Sequence, residues 1–329
     1  MRSEMIGAAA AGLLLLGSAS AFAQTAQEWP PEQMTIVIAH DVGSSQNQTT
    51  RALGEIWQEK LGTQFVYENR DGASGRVGYD NFLAQPKDGS VLLSSNLASA
   101  SIMYAQQKPD WDWRESVEPV GVFGVDPGVI FVRRDSGYET FADVVEAAKK
   151  QPLTMGVSFW ASPENLQAHQ VMDATDAKFE IIPVESSGEL VTQVLGGHIA
   201  IGYNKAAAVQ RGGDELKIIA VPMAENPIPH LTENAPTIDA ALGTTTLGIA
   251  SYRGILAHQE WVKANPEHYE TLRRTFVETT KDPRFVEAMK KLEVDPGLIV
   301  ALNTEEIYEQ VLDRYWAAFD QFGDIYKNQ

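Results

Sequence analysis

Short apolar runs alternate with stretches of helical periodicity along most of the chain. That alternation confines it to sheets with helices packed on their faces, an α/β fold. Met34-Thr35-Ile36-Val37-Ile38-Ala39 reads as a buried strand. It is followed by a helix with Leu53, Ile56, Trp57 and Leu61 on one face and Gly62 as its stop. The order returns through the strand Phe65-Val66-Tyr67, a Gly-rich turn Asp71-Gly72-Ala73-Ser74-Gly75, a short helix through Phe82 and Leu83, and the strand Val91-Leu92-Leu93. Ser94-Ser95-Asn96 reads as a loop behind that last strand.

A second series begins with apolar runs near Val120 and Val129, then a helix marked by Phe141, Val144, Val145 and Ala148. A strand over 153–157 runs toward Ser162-Pro163-Glu164, a helix start with Ser162 as N-cap and Pro163 in the first helical position. Strands over 181–184, 199–203 and 216–221, with a helix through Leu190, Val191, Val194 and Leu195, complete this block. Beyond Asn265 the chain is mostly helical, and its aromatic stripes, such as Tyr308, Leu312, Tyr315 and Phe319, have the spacing of core packing. No linker separates the blocks, so domain joints are expected inside strands or short loops.

The first residues differ in kind. An apolar stretch over 6–16 followed by Ala21-Phe22-Ala23 has the form of a secretory signal, expected over residues 1–23. No other stretch is long and apolar enough to span a bilayer, so a soluble extracytoplasmic protein is expected, in the periplasm. The absence of cysteine excludes disulfides, thiol catalysis and thiolate metal sites. With 26 Lys and Arg against 44 Asp and Glu, the formal charge of −18 disfavours nucleic acid as a partner. An anionic ligand would need a local cluster of donors to overcome that field.

Four segments supply such donors: 43–47, 94–96, 158–162 and Ser186-Ser187-Gly188. Each follows a strand and precedes a helix, where ligands of open α/β sheets sit, and each is small and rich in hydroxyl or amide groups. Taken singly, any of them is an ordinary capped turn. Four in parallel positions point to backbone and hydroxyl capture of a small anion. Nucleotide motifs are missing: Gly72-Ala73-Ser74-Gly75-Arg76-Val77-Gly78 lacks the GxGxxG order, and no GxxxxGK[ST] occurs. There is no GxSxG elbow or HExxH pair, and the six histidines form no ligand spacing. His40 is expected as a solvated loop residue, with Asp41 turned away from the ligand. No catalytic residue, metal site or cofactor is expected.

The ordered segments resemble the periplasmic substrate-binding proteins of the tripartite tricarboxylate transporter family, over nearly the whole chain from Trp29. WPPEQMTIVIAHDVGSSQNQTTRAL is similar to that family's opening strand and its Gly-Gly-x-x-Asp loop. ENRDGASGRVGYD is similar to its Glu-Asn-Arg-x-Gly-Ala-Gly-Gly segment, and IPVESSGELVTQVLGGHIAI to its Gly-to-Leu-Gly-Gly segment. PKDGSVLL, LKIIAV, APTIDAALG and YRGILA follow in the family's order.

The resemblance implies a two-domain periplasmic-binding-protein fold, type II-like, each domain a sheet flanked by helices with the ligand cleft between them. It places domain 1 at 29–128 plus 252–329 and domain 2 at 129–251. It implies a monomer that takes a small organic carboxylate, di- or tricarboxylate or aromatic, and delivers it to a tripartite tricarboxylate-type membrane permease. A periplasmic ligand sensor for a signalling partner is the alternative, and a secreted serine hydrolase a weaker one.

The ligand contacts that follow from the resemblance are Gly43, Ser44, Ser45 and Asn47, faced by Ser158, Ser162, Ser186 and Ser187. Asn96 and Asn204 are further polar ends. Where the family has a second Gly and an Asp, this chain has Ser44 and Asn47, and the amide of Asn47 would add a donor beside an anion. The family's small Gly-Ser-Ser-Gly loop is here Gly156-Val157-Ser158-Phe159-Trp160. If Trp160 and Tyr203 face the ligand, an aromatic carboxylate would stack between them.

Overall fold

The computed structural model describes residues 29–326 apart from 159, 161, 247 and 303. The signal expected over 1–23 and the residues Phe159 and Ala161 lie outside the described set. The first unit comprises β1 (Gln33–Ile38), α1 (Ser45–Leu61), β2 (Gln64–Asn69), α2 (Arg76–Leu83), β3 (Val91–Asn96), α3 (Leu97–Gln107), α4 (Trp113–Ser116) and β4 (Val117–Asp126). The chain then passes through Pro127 into β5 (Gly128–Arg133), α5 (Phe141–Lys150), β6 (Leu153–Ser158), α6 (Pro163–Thr175), β7 (Phe179–Val184) and α7 (Ser187–Leu195). β8 (Ile201–Lys205), α8 (Ala206–Gln210), β9 (Leu216–Ala220) and α9 (Ile238–Leu242) finish that part. β10 (Ser251–His258) returns to the first sheet, and α10 (Gln259–Ala264), α11 (Pro266–Thr280), α12 (Pro283–Lys291), α13 (Thr304–Ile307) and α14 (Asp313–Phe322) follow.

Two five-stranded mixed sheets result, ordered β2-β1-β3-β10-β4 and β7-β6-β8-β5-β9. The pairing of β1 with β2 and β3 is parallel, and β10 lies antiparallel between β3 and β4. In the second sheet β6 is parallel to β7 and β8, and β5 is antiparallel to β8 and β9. Each sheet therefore carries one strand that runs against the other four.

Two boundaries differ from the sequence reading. Ser94, Ser95 and Asn96 are the end of β3, not a loop, because β10 pairs with all three. β8 spans 201–205 and not 199–203, since its partner is the start of β5, with Gly128 opposite Lys205. Both shifts come from antiparallel partners distant in sequence, which local periodicity does not register.

Both faces of the first sheet are covered. Ile36, Ile38, Leu53, Trp57, Phe123 and Phe276 pack on one side, under α1 and α11. On the other side Leu93, Leu97, Val122, Tyr315 and Phe319 belong to a buried cluster that continues to Leu190 and Leu216 of the second unit. α14 packs against both α3 and α6. The Tyr315 hydroxyl donates to the Ala250 carbonyl, and Gln321 Nε2 donates to Asp173 Oδ2 at 3.2 Å, so the last long helix spans the two units.

α1 and α11 are joined by one polar bond inside the apolar layer: buried Trp57 Nε1 donates to Thr275 Oγ1 at 2.9 Å. Thr275→Val keeps the shape but leaves the indole N–H without an acceptor. We expect it to destabilise the protein by about 1–3 kcal/mol in urea unfolding, the usual cost of a stranded buried donor. Half-exposed Thr271→Val, one turn earlier, is the control, with an expected change of about 0.5 kcal/mol or less.

Candidate ligand cleft

Strand direction decides what meets between the sheets. β4 runs with β1 and β3 and ends at Asp126, and one residue later β5 begins at Gly128. Because β10 is antiparallel, its first residues lie beside the ends of β3 and β4, with Arg253 opposite Asn96 and Gly124. In the second sheet β8 ends at Lys205, beside the start of β5. The carboxyl ends of both sheets thus converge on the crossing at Pro127.

Four helices open near this crossing, each from one of the segments singled out in the sequence. Ser44 Oγ accepts from the N–H of Asn47 at 3.2 Å and caps α1. Asn96 Oδ1 accepts from the N–H groups of Ala98 and Ser99 at 3.1 and 3.2 Å and caps α3. Ser162 Oγ accepts from Asn165 N, and Ser186 Oγ from Glu189 N, each at 3.2 Å, capping α6 and α7. The side chains of Ser44, Asn96, Ser162 and Ser186 are therefore already committed as caps. What such termini offer a ligand is the remaining first-turn N–H groups and the positive end of the helix dipole.

The termini are not equivalent. α6 and α7 carry Glu164 and Glu189 in their first turns, whereas α1 and α3 carry no acid there. A bound carboxylate is favoured at the termini of α1 and α3 and opposed at the other two.

The other expected residues divide clearly. Gly43 is exposed with φ +94°, and an added Cβ would meet nothing within 4 Å, so backbone conformation alone demands glycine there. Ser45 is exposed as the first residue of α1, and its hydroxyl accepts from Arg253 Nη2 at 3.2 Å. Asn47 is buried, its Nδ2 donating to Asn69 Oδ1 at 2.9 Å and its Oδ1 accepting from Arg51 Nε at 3.2 Å. Its amide joins α1 to β2 and spends one of its two N–H donors there.

Ser158, Ser187 and Asn204 come together. Ser158 Oγ donates to Asn204 Oδ1 at 2.9 Å and lies 3.3 Å from Ser187 Oγ, while Asn204 Nδ2 donates to the Ser187 carbonyl at 2.9 Å. Asn204 is an amide and cannot take up a proton, so this cluster positions hydroxyls without activating one.

The aromatic pair is not offered as a sandwich. Tyr203 is 1% exposed, part of the second sheet's core, and its ring fills the space a Cβ on Gly128 would need. Trp160 is half-buried against the core, its carbonyl bonded by Asn165 Nδ2 at 2.9 Å, and its buried indole N–H has no acceptor among the described residues.

The charged groups of the cleft escaped the sequence reading. Arg253, with an 8% exposed side chain, donates through Nη2 to Asp126 Oδ2 at 3.4 Å, and Lys205 Nζ reaches the same oxygen at 3.3 Å. Arg253 Nη1 is buried with no hydrogen-bond partner among the described residues. Glu164 is buried beside Lys205; burial pushes its carboxyl above the usual range, and Lys205 and a bond from Ser162 pull it back. His40 is half-buried, not a freely solvated loop residue. Burial lowers its imidazole below the ordinary value against the opposing pull of Asp41 and Asp71, with Lys205 and Arg253 lowering it further.

A strand that begins Tyr252-Arg253-Gly254 is read as core from its apolar neighbours, so Arg253 looks incidental in the sequence. Its unusual feature is a cation inside a strand that the structure buries in full. Among the described residues, no three His, Asp or Glu side chains are grouped so as to hold a metal ion, and no helix is long and apolar enough to cross a membrane.

The chain is 24% identical over 280 residues to an uncharacterised-family protein from the TAR-I ttuE-ttuC' intergenic region of Agrobacterium vitis, covering 83% of this chain and 79% of that one. In structure it is similar to a TctC solute-binding protein from Polaromonas solved without ligand, with TM-score 0.78, 19% identity, and 90% and 99% of the two chains covered. It is also similar to an R. palustris protein solved with adipate, with TM-score 0.65, 20% identity, and 91% and 99% covered. Residues 49–320 match the tripartite tricarboxylate transporter family receptor, and the chain belongs to that family of solute-binding proteins.

Proposed function

We propose that the chain is an extracytoplasmic solute-binding protein that captures a small organic carboxylate between two lobes, residues 29–128 with 252–329 against 129–251. In this reading residues 1–23 direct it to the periplasm, where it works as a monomer and hands its ligand to a tripartite tricarboxylate-type permease. The single observation that carries the reading is the placement of Arg253: a buried guanidinium bonded to the first residue of an acid-free helix terminus. A carboxylate arriving there meets a fixed cation, first-turn N–H groups and the helix dipole together. From the other lobe the half-buried Ser187 hydroxyl is the neutral group offered to it, held in place by Ser158 and Asn204. Adipate in the R. palustris neighbour is a carboxylate ligand on the same fold, which agrees with this reading.

Capture works by population shift, since a ligand touching both lobes binds the closed arrangement better and is read by the permease in that form. A ligand that binds only the folded protein raises its melting temperature, by about 2.7 kcal/mol of stabilisation at a hundredfold excess over Kd. A thermal-shift panel of mono-, di- and aromatic carboxylates on the purified mature chain is therefore expected to contain stabilising members. A flat response across the panel would sink the reading.

Arg253→Gln retains hydrogen-bonding capacity and removes the charge. Loss of a charged hydrogen bond of about 1.5–3 kcal/mol corresponds to an affinity loss of roughly 10- to 150-fold in calorimetric titration. Arg253→Lys should recover part of it. If Arg253→Gln folds and binds the stabilising carboxylates as the native chain does, Arg253 is not the anchor.

A further inference from the structure

We infer that Asp126 sets the charge selectivity of the cleft: it occupies one of the two cations, Arg253 and Lys205, and so favours ligands with a single carboxylate over ligands with two. This rests on the carboxylate reading above and narrows it to a substrate class. The geometry is that of a shared counter-ion. One carboxylate oxygen, Oδ2, lies 3.3 Å from Lys205 Nζ and 3.4 Å from Arg253 Nη2, so neither contact is a short bidentate pair. Asp126 is 17% exposed and stands at the end of β4, one residue before the crossing, between a cation of each sheet.

The charge count limits what can enter. Arg253 and Lys205 contribute two positive charges and Asp126 removes one. Glu164, buried against Lys205, removes a further part of a charge to the extent that it is ionised. His40 adds little at neutral pH, because burial holds its imidazole below the ordinary value. The cluster therefore presents at most one uncompensated positive charge. One ligand carboxylate neutralises it. A second carboxylate reaching the same cluster would face Asp126 and Glu164 with the charges of Arg253 and Lys205 already taken up, and like charges brought together in a partly desolvated site are strongly unfavourable. Selection against the dianion is by repulsion, not by loss of contacts. A ligand whose far end stays within this cluster is therefore favoured when that end is neutral, hydroxylated or itself cationic, and the half-buried Ser187 hydroxyl offers it a neutral partner.

The test compares ligands of one carbon skeleton that differ in one carboxylate: butyrate with succinate, hexanoate with adipate, and 4-methylbenzoate with terephthalate. Affinities are measured by calorimetry on the full mature chain at neutral pH and moderate salt. In at least one pair the native protein should bind the monocarboxylate about tenfold or more tightly, and Asp126→Asn should shift that ratio toward the dicarboxylate by about tenfold.

The double variant Asp126→Asn with Lys205→Gln restores the original charge balance and should return the ratio toward the native one. It also separates the change of charge from any local rearrangement that the amide side chain causes at this position. Circular dichroism and melting curves report whether each variant folds, and should Asp126→Asn fail to fold, Lys205→Gln alone decides through the same ratio, which the lost positive charge must move further toward the monocarboxylate.

A native protein that binds the dicarboxylate member of every pair more tightly overturns the inference while leaving the carboxylate reading intact. So does a folded Asp126→Asn with an unchanged ratio. If none of these nor any other carboxylate binds the native chain, the carboxylate reading fails first and the inference with it.

Discussion

The antiparallel insertion of β10 between β3 and β4 is the constraint on which the cleft depends. Four strands of the first sheet run one way and bring their carboxyl ends to the crossing; the fifth runs back and brings its beginning there. Arg253 arrives at the terminus of α1 from more than two hundred residues away because of that single reversal. The second sheet repeats the device with β5, whose first residue lies opposite Lys205. Asp126 and Gly128 flank the crossing itself, so the ion cluster and the joint between the units occupy the same place.

Much of the architecture was legible because strand and helix periodicities differ and the stops are written in glycine and proline. Ser162 and Pro163 open α6 as their residue types require, and Gly62 closes α1 in the left-handed conformation, with φ 82°. What failed did so where a distant partner decides. Ser94 to Asn96 look like loop residues by composition but are zipped to β10, and β8 ends two residues later than its apolar run. Tyr203 ends an apolar stretch, where a ring turned toward a ligand is a natural expectation. In the fold it covers Gly128, a contact that no local pattern encodes.

In the candidate cleft the helix caps were legible in the sequence and the charged residues were not. Serines and asparagines between strand and helix announce caps, and the structure uses Ser44, Asn96, Ser162 and Ser186 in that way. Asn47 shows the limit of that inference, since a buried amide with Asn69 and Arg51 in reach satisfies itself within the fold. Arg253 and Lys205 sit in strands, and a charged residue in a strand has no local signature that distinguishes a snorkelling surface side chain from a buried anchor. Only the pairing of β10 with β3 and of β5 with β8 makes that distinction.

The balance of charges in the cleft also bears on release. A protein of formal charge −18 that concentrates uncompensated cations in a desolvated pocket would hold an anion tightly and surrender it slowly. A shared carboxylate moderates that charge, because Asp126 lies within reach of both Arg253 and Lys205. Arg253, with its 8% exposed side chain, is therefore not a buried charge without a counter-ion, the state that makes breaking a buried pair so costly. If a carboxylate binds at this cluster as proposed, the same contact would lower both the ordering cost of binding and the electrostatic cost of letting go. For a chain whose family serves transport, a ligand that is easily given up matters as much as one that is easily caught.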